Sequence, residues 1–240
     1  MEKRNINKIN VPHCSQCDSF NSSMFCSLNN VEELNLSDNK VHNLYKKGQI
    51  IFFEGQQSRN LFCIFSGKVK IFKLGDDGKE QIVRFAKKGD VIGYRALLGG
   101  EKYFASASVM EDAMICSLPK FTIDELLNCN SKFAIQTIKL LSKDLRIAEQ
   151  IILNMAQKPV RERIAEALIM LKQYYGIDEI TETINTTLTR EEIANIAGTS
   201  TETCIRILSE FNTDHIIKII GKSIKITDVH KLLKIANVTE

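Results

Sequence analysis

Three features of the sequence predict a mixed α+β chain. The first half carries short β-branched runs separated by glycine turns. The middle holds an uninterrupted apolar heptad. Near the C-terminus two short helical patterns flank an Ala-x-x-x-Gly turn and lead into a hairpin. Together they predict an all-β sandwich, barrel or roll, then one long helix, then a winged helix-turn-helix. The expected divisions are 1–30, a cysteine-containing segment; 31–130, the β-domain; 131–157, the long helix; and 158–240, the winged helix-turn-helix. The 240 residues leave room for two cores. A hydrophobic share of 44% with 25% charged residues argues against a disordered chain.

The β-domain is read from runs at Gln49–Phe53, Leu61–Phe65, Lys68–Lys73, Glu80–Phe85, Ser106–Val109 and Ala113–Leu118. Turn signals at Gly48, Gly67, Asp76-Asp77-Gly78 and Gly89 separate them. Asp77-Gly78 is a hairpin signal because both residue types tolerate positive φ. No histidine lies between Leu44 and Leu118; the four sit at 13, 42, 215 and 230. A metal-dependent cupin-type enzyme is therefore not expected. No Gly-rich phosphate loop or Gly-x-Ser-x-Gly is present, so no enzymatic activity is expected at all.

From Ser131 the period changes. Ile138, Leu141, Leu145, Ala148, Ile152 and Met155 follow a 3,4 spacing, with no Gly or Pro before Pro159. This seam suits a helix lying on its own β-domain or one paired with its twin. Its length favours the twin, because one face would overrun a small β-domain. No charge sits in the seam, so pairing need not await a ligand, and a cofactor would then reorient the dimer. Pro159 suits the first turn of a further helix, with Gly176 as its stop.

In Arg190–Ser209, Thr189 can cap a helix opened by Glu191 and Glu192. Ile193, Ala194 and Ala197 form its inner face, and Gly198 ends it where positive φ is needed. Ser200 or Thr201 caps the second helix. Cys204, Ile207 and Leu208 point inward. Ser200, Thr201, Glu202, Ile205, Arg206 and Ser209 point outward, as a recognition helix requires. Arg206 has the fork for guanine, Glu202 can accept from cytosine, and Ile205 suits a thymine methyl. The competing reading is an ordinary helical hairpin with Glu202–Arg206 as a surface pair. Residues Ile216 to Ile226 form a hairpin around Gly221-Lys222, and a hairpin there is a wing. Lys218, Lys222 and Lys225 would meet phosphates. Thr189 and Arg190 at the start of the first helix complete the expected contact set. From Pro159 to Asp214 there are five Lys or Arg against ten Asp or Glu. The basic footprint must therefore be local.

A roll, a long dimer helix and a winged helix-turn-helix resemble the cyclic-AMP receptor protein/FNR superfamily of bacterial regulators over nearly the whole chain. The resemblance implies a double-stranded β-helix of the cyclic-nucleotide-binding kind and a homodimer on palindromic double-stranded DNA. It also implies contact with RNA polymerase if the protein is an activator. Thr199 to Arg206 resembles the family's recognition helix, with Ile205 where FNR-type members have Ser. Cyclic-nucleotide members carry Gly-Glu and then Arg-Ser; this chain has Gly93-Tyr94 and Tyr103-Phe104-Ala105-Ser106, so cyclic AMP is not expected. Cys14, Cys17, Cys26 and the distant Cys116 resemble the FNR ligand set for an oxygen-sensitive 4Fe–4S cluster. The eight residues between Cys17 and Cys26 are a longer gap than in FNR. Zinc or thiol chemistry, an unidentified effector in the roll, and no cofactor are the alternatives. Cys63 and Cys129 are the other candidate fourth ligands. The first ten residues hold no apolar stretch and no run approaches the ~18 residues of a membrane span. The expected location is the cytoplasm.

Overall fold

The computed structural model describes residues 13–21, 23–75, 78, 80–186 and 188–237. A 3-10 turn at Cys14–Gln16 leads to helix α1, Asn30–Asn39. Asn29 and Glu32 close a reciprocal capping box at its start. The strands follow: β1 (Val41–Tyr45), β2 (Ile50–Phe52), β3 (Asn60–Ser66), β4 (Lys68–Leu74), β5 (Glu80–Lys87), β6 (Val91–Ile92), β7 (Ser106–Val109) and β8 (Ala113–Pro119). They form two sheets of order β1-β8-β3-β6 and β2-β7-β4-β5. Helix α2 (Tyr94–Gly99) interrupts the roll, and α3 (Lys120–Cys129) follows it. Every expected strand is present, with ends shifted by a few residues at most. At the turn expected around Asp77-Gly78, Asp76 and Asp77 lie outside the described residues, while Gly78 has φ +77°.

Alternation along β3 and β8 builds two layers of core. Phe62, Ile64 and Ile115 face the interior of the roll with Phe52, Val69 and Val109. Leu61 and Leu118 face the other way, against Leu36, Ile123, Leu126 and Phe133 of the helices. That second layer is where the N-terminal segment is bound.

Helix α4 runs Ser131–Gln157 without a break, as the heptad requires. Contacts divide the chain inside it: Met1–Lys73 with Arg84–Asp144 form one unit, Leu74–Val83 with Leu145–Glu240 the other. In the second unit, α5 (Val160–Tyr175) starts after Pro159 and stops at Gly176. Helices α6 (Arg190–Ala197) and α7 (Thr201–Thr213), the hairpin β9 (Ile217–Ile220) and β10 (Ser223–Ile226), and α8 (Val229–Ala236) complete it. Ile164, Leu168, Ile193, Leu208, Phe211 and Leu232 are buried in its core. Among the described residues no helix is long and apolar enough to cross a membrane.

Candidate DNA-reading surface and thiol cavity

The reading surface is built by caps and one glycine. Thr189 accepts from the Glu192 amide, and Glu192 accepts from the Thr189 amide, which fixes the start of α6. Gly198 sits at φ +60°, and its amide donates to the Ala194 carbonyl. A β-carbon there would stand 2.7 Å from Met155 Sδ, the far end of a flexible side chain that can move aside, so it is the backbone angle that calls for glycine. Ser200 then caps α7 by accepting from the Thr203 amide. Cys204, Ile207 and Leu208 are buried. Ser200, Glu202, Ile205, Arg206 and Ser209 are exposed and Thr201 is half-buried. The outward strip expected of a recognition helix is thus formed on one face.

Its arginine is not idle. Arg206 Nη1 donates to Glu210 Oε1 at 2.5 Å, and Arg161 Nη1 donates to the other oxygen of Glu210 at 2.5 Å. Arg161 also pairs with Asp214 at 3.2 Å and lies over the Phe211 ring. Arg206 therefore takes Glu210 as its i,i+4 partner, on the next turn from Glu202. Sequence reading passed over Glu210, although the same spacing rule marks it.

In the wing, Gly221 has φ +60° and Lys218 and Lys222 are exposed. Lys225, opposite Lys218 in the hairpin, is instead paired with Glu182. Arg190 Nη2 donates to the Gly221 carbonyl at 3.2 Å and so ties α6 to the wing turn. The six seam residues of α4 divide. Ile138, Leu145 and Ile152 are 61–68% exposed. Leu141 packs partly against the Phe133 cluster, and Ala148 is half-buried. Met155 is turned to Gly198, with Arg163 Nη1 3.1 Å from its sulfur.

The thiols meet on the outer face of the roll. A cavity of about 60 Å3 is lined by Cys14, Cys17, Cys63 and Cys116, with Lys40 among apolar walls that include Phe20, Phe25 and Leu36. The Cys14 amide donates to Ser37 Oγ, and Lys40 Nζ lies 3.6 Å from Cys14 Sγ. Cys26 and Cys129 are exposed and do not line the cavity. Burial pushes the Cys63 thiol well up, and burial outweighs Lys40 to push Cys116 up to about 11. A metal group here must displace protons from both. Among the described residues, no three His, Cys, Asp or Glu side chains stand close enough to hold a single metal ion. Four cysteines on a mostly apolar cavity wall, with Lys40 beside them, nonetheless suit the chemistry of an iron–sulfur cluster, which spreads its ligands wider than one ion does.

Comparison with known proteins bears on this geometry. Residues 43–130 match the cyclic nucleotide-binding domain, and residues 162–235 the Crp-like helix-turn-helix domain. The fumarate and nitrate reduction regulatory protein of Vibrio cholerae is 29% identical over 231 residues, covering 95% of this chain and 92% of that protein. Regulatory protein HlyX of Actinobacillus pleuropneumoniae is 30% identical over 223 residues, covering 92% of each. The chain belongs to the CRP/FNR family. It is a DNA-binding transcription regulator.

Solved structures share the regulator's fold. FixK2 from Bradyrhizobium japonicum superposes with TM-score 0.74 at 22% identity, over 84% of this chain and 99% of that one. A CRP/FNR-family transcriptional regulator from Thermus thermophilus gives 0.71 at 21%, over 83% and 100%. In the regulator, Tyr94 is buried and donates to Asp144 of α4. Arg84 and Arg95 also donate to Asp144, at 3.1 and 2.7 Å. Burial alone would raise the Asp144 carboxyl. The Tyr94 hydrogen bond and the two arginines outweigh it, so its pKa lies below the ordinary carboxylate value.

A carboxyl depressed in the folded state contributes stability that is present above its unfolded pKa of about 3.9 and is lost as pH falls through the folded value. Asp144→Asn should therefore destabilise the CRP/FNR regulator by about 1–3 kcal/mol at pH 7. The difference from wild type should shrink as the pH falls below about 4. Thermal melts across pH check this, and a deficit constant from pH 7 to pH 3 would contradict the ionic role.

Proposed function

We propose that the regulator acts as a homodimer on a palindromic operator and answers to redox state or oxygen through a thiolate-held iron–sulfur cluster. One observation carries the DNA half: the capped, solvent-facing strip Ser200, Thr201, Glu202, Ile205, Arg206 and Ser209 on α7. In this reading Arg206 takes guanine, Glu202 a cytosine amino group and Ile205 a thymine methyl. Lys218 and Lys222 hold phosphates, with Thr189 and Arg190 at the backbone nearby. The exposed row Ile138, Leu145 and Ile152 supports pairing of α4 with its twin, Leu141, Ala148 and Met155 flanking it.

In the sensor half, Cys14, Cys17 and Cys116 supply three thiolates. The fourth comes from Cys26, the candidate of the FNR-like spacing, or from Cys63, which lines the same cavity. When bound, the cluster supplies sensitivity to oxidants. Lys40 offsets the thiolates' charge, and Phe20, Phe25 and Leu36 restrict water. Cyclic AMP is not the effector, because Tyr94 is committed to Asp144 where such members place a ribose-binding acid. The regulator works in the cytoplasm beside its DNA and contacts RNA polymerase at promoters it activates.

Sedimentation of anaerobic protein with an inverted repeat and with a single half-site tests the reading. A two-fold complex on the repeat, with at least about 100-fold tighter binding than on the half-site, is expected from linking two reading heads. Equal affinity for both, with one copy bound to each, would contradict the dimer. Colourless anaerobic protein that releases zinc on acidification would replace the cluster with a zinc site.

A further inference from the structure

We infer that Arg161 of α5 is a positioning residue for base reading. By holding one oxygen of Glu210 it leaves Arg206 tethered through a single hydrogen bond, with its remaining donors open to guanine. This rests on the role given to Arg206 above.

The end of α7 holds Arg161 by three contacts. Glu210 Oε2 accepts from Arg161 Nη1 at 2.5 Å, and Asp214 Oδ2 accepts from Nη2 at 3.2 Å. The guanidinium also lies 4.8 Å from the centre of the buried Phe211 ring. Its place is therefore fixed by groups outside the outward strip of α7.

Arg206 has one partner among the described residues: Nη1 donates to Glu210 Oε1 at 2.5 Å. A carboxylate with both oxygens free favours a side-by-side pair with a guanidinium, through two parallel hydrogen bonds. Such a pair would occupy an edge of the fork that must meet guanine O6 and N7. Arg161 prevents it by taking Oε2. Sharing one carboxylate between two cations also weakens its hold on each. Arg206 is exposed and Arg161 half-exposed, so the tether is one that a better acceptor can replace. Arg206 is thus aimed by Glu210 and kept releasable by Arg161.

A double-mutant cycle on the full-length protein tests this. The probes are an inverted repeat selected from random duplexes by the wild type, and a copy whose half-site guanine–cytosine pairs are replaced by adenine–thymine. Arg161→Gln should weaken binding to the repeat about 10-fold, roughly 3-fold for each half-site, and binding to the copy much less. Glu210→Gln should tighten binding to the copy and so narrow the ratio between the two DNAs. In that background Arg161→Gln should change neither affinity. A loss that persists there overturns the inference. If the salt slope also falls, Arg161 is a phosphate contact; if not, it is a structural support. No loss in Arg161→Gln overturns the inference equally. So does a ratio unmoved by Glu210→Gln, a result that needs no substitution at Arg161. The role of Arg206 fails by a different sign: Arg206→Ala would then keep the preference for the repeat.

Discussion

Aspartate at both Leu145 and Ile152 should leave the regulator monomeric and cut its affinity for an inverted-repeat operator by about 100-fold or more, since each reading head must then bind alone. The two residues are 62% and 68% exposed on a helix whose seam carries no charge. In a paired coil they would be knobs in the partner's holes, and two buried, unpaired carboxylates there would oppose pairing strongly. The substitutions touch no core, so melting of the single chain should change little. Analytical ultracentrifugation and anisotropy on the full operator check both parts. A dimer that survives with unchanged affinity would show that copies meet through some other surface.

Arg206→Ala should erase sequence preference. A bidentate guanine contact discriminates by about 1–3 kcal/mol, so the ratio of operator to random-DNA affinity should fall by roughly 10- to 100-fold per half-site. Affinity for random DNA should stay within a few-fold. Lys222→Ala should behave oppositely, weakening operator and random DNA alike and lowering the salt slope by about 1. Competition titrations at two salt concentrations separate the two. If Lys222→Ala also abolished preference, the wing would be a reader of bases and the division of labour assigned here would fail.

What could be read from the sequence follows from the range of the signals. The heptad of α4 and the Gly198 turn depend on local periodicity and backbone angle, and both are found where expected. β1 escaped because it is an edge strand, exposed along nearly its whole length, and has no alternating pattern to read. Helices α1 and α8 escaped despite legible caps, Asn29 with Glu32 and Asp228, whose residues also suit turns. At the thiol cavity, Cys14, Cys17 and Cys116 were marked by spacing and family likeness. The facing of Cys26 was not, because it is decided by Phe25 docking on Phe133, a contact between distant residues. The tie of Asp144 to Arg84, Tyr94 and Arg95 spans 49–60 residues and leaves no local trace.

The carboxylate that Arg206 shares with Arg161 bears on how the molecule searches a chromosome. A wrong sequence offers mainly phosphate charge, and an acid within the reading surface repels it. Only a guanine edge, offering two acceptors in the fork's own geometry, competes well for the guanidinium. If Arg206 reads guanine as proposed, Glu210 would shorten the stay at incorrect sites and leave the residence time at the operator less affected. The ratio of the two times, and not the tightness of the grip, decides occupancy in a genome.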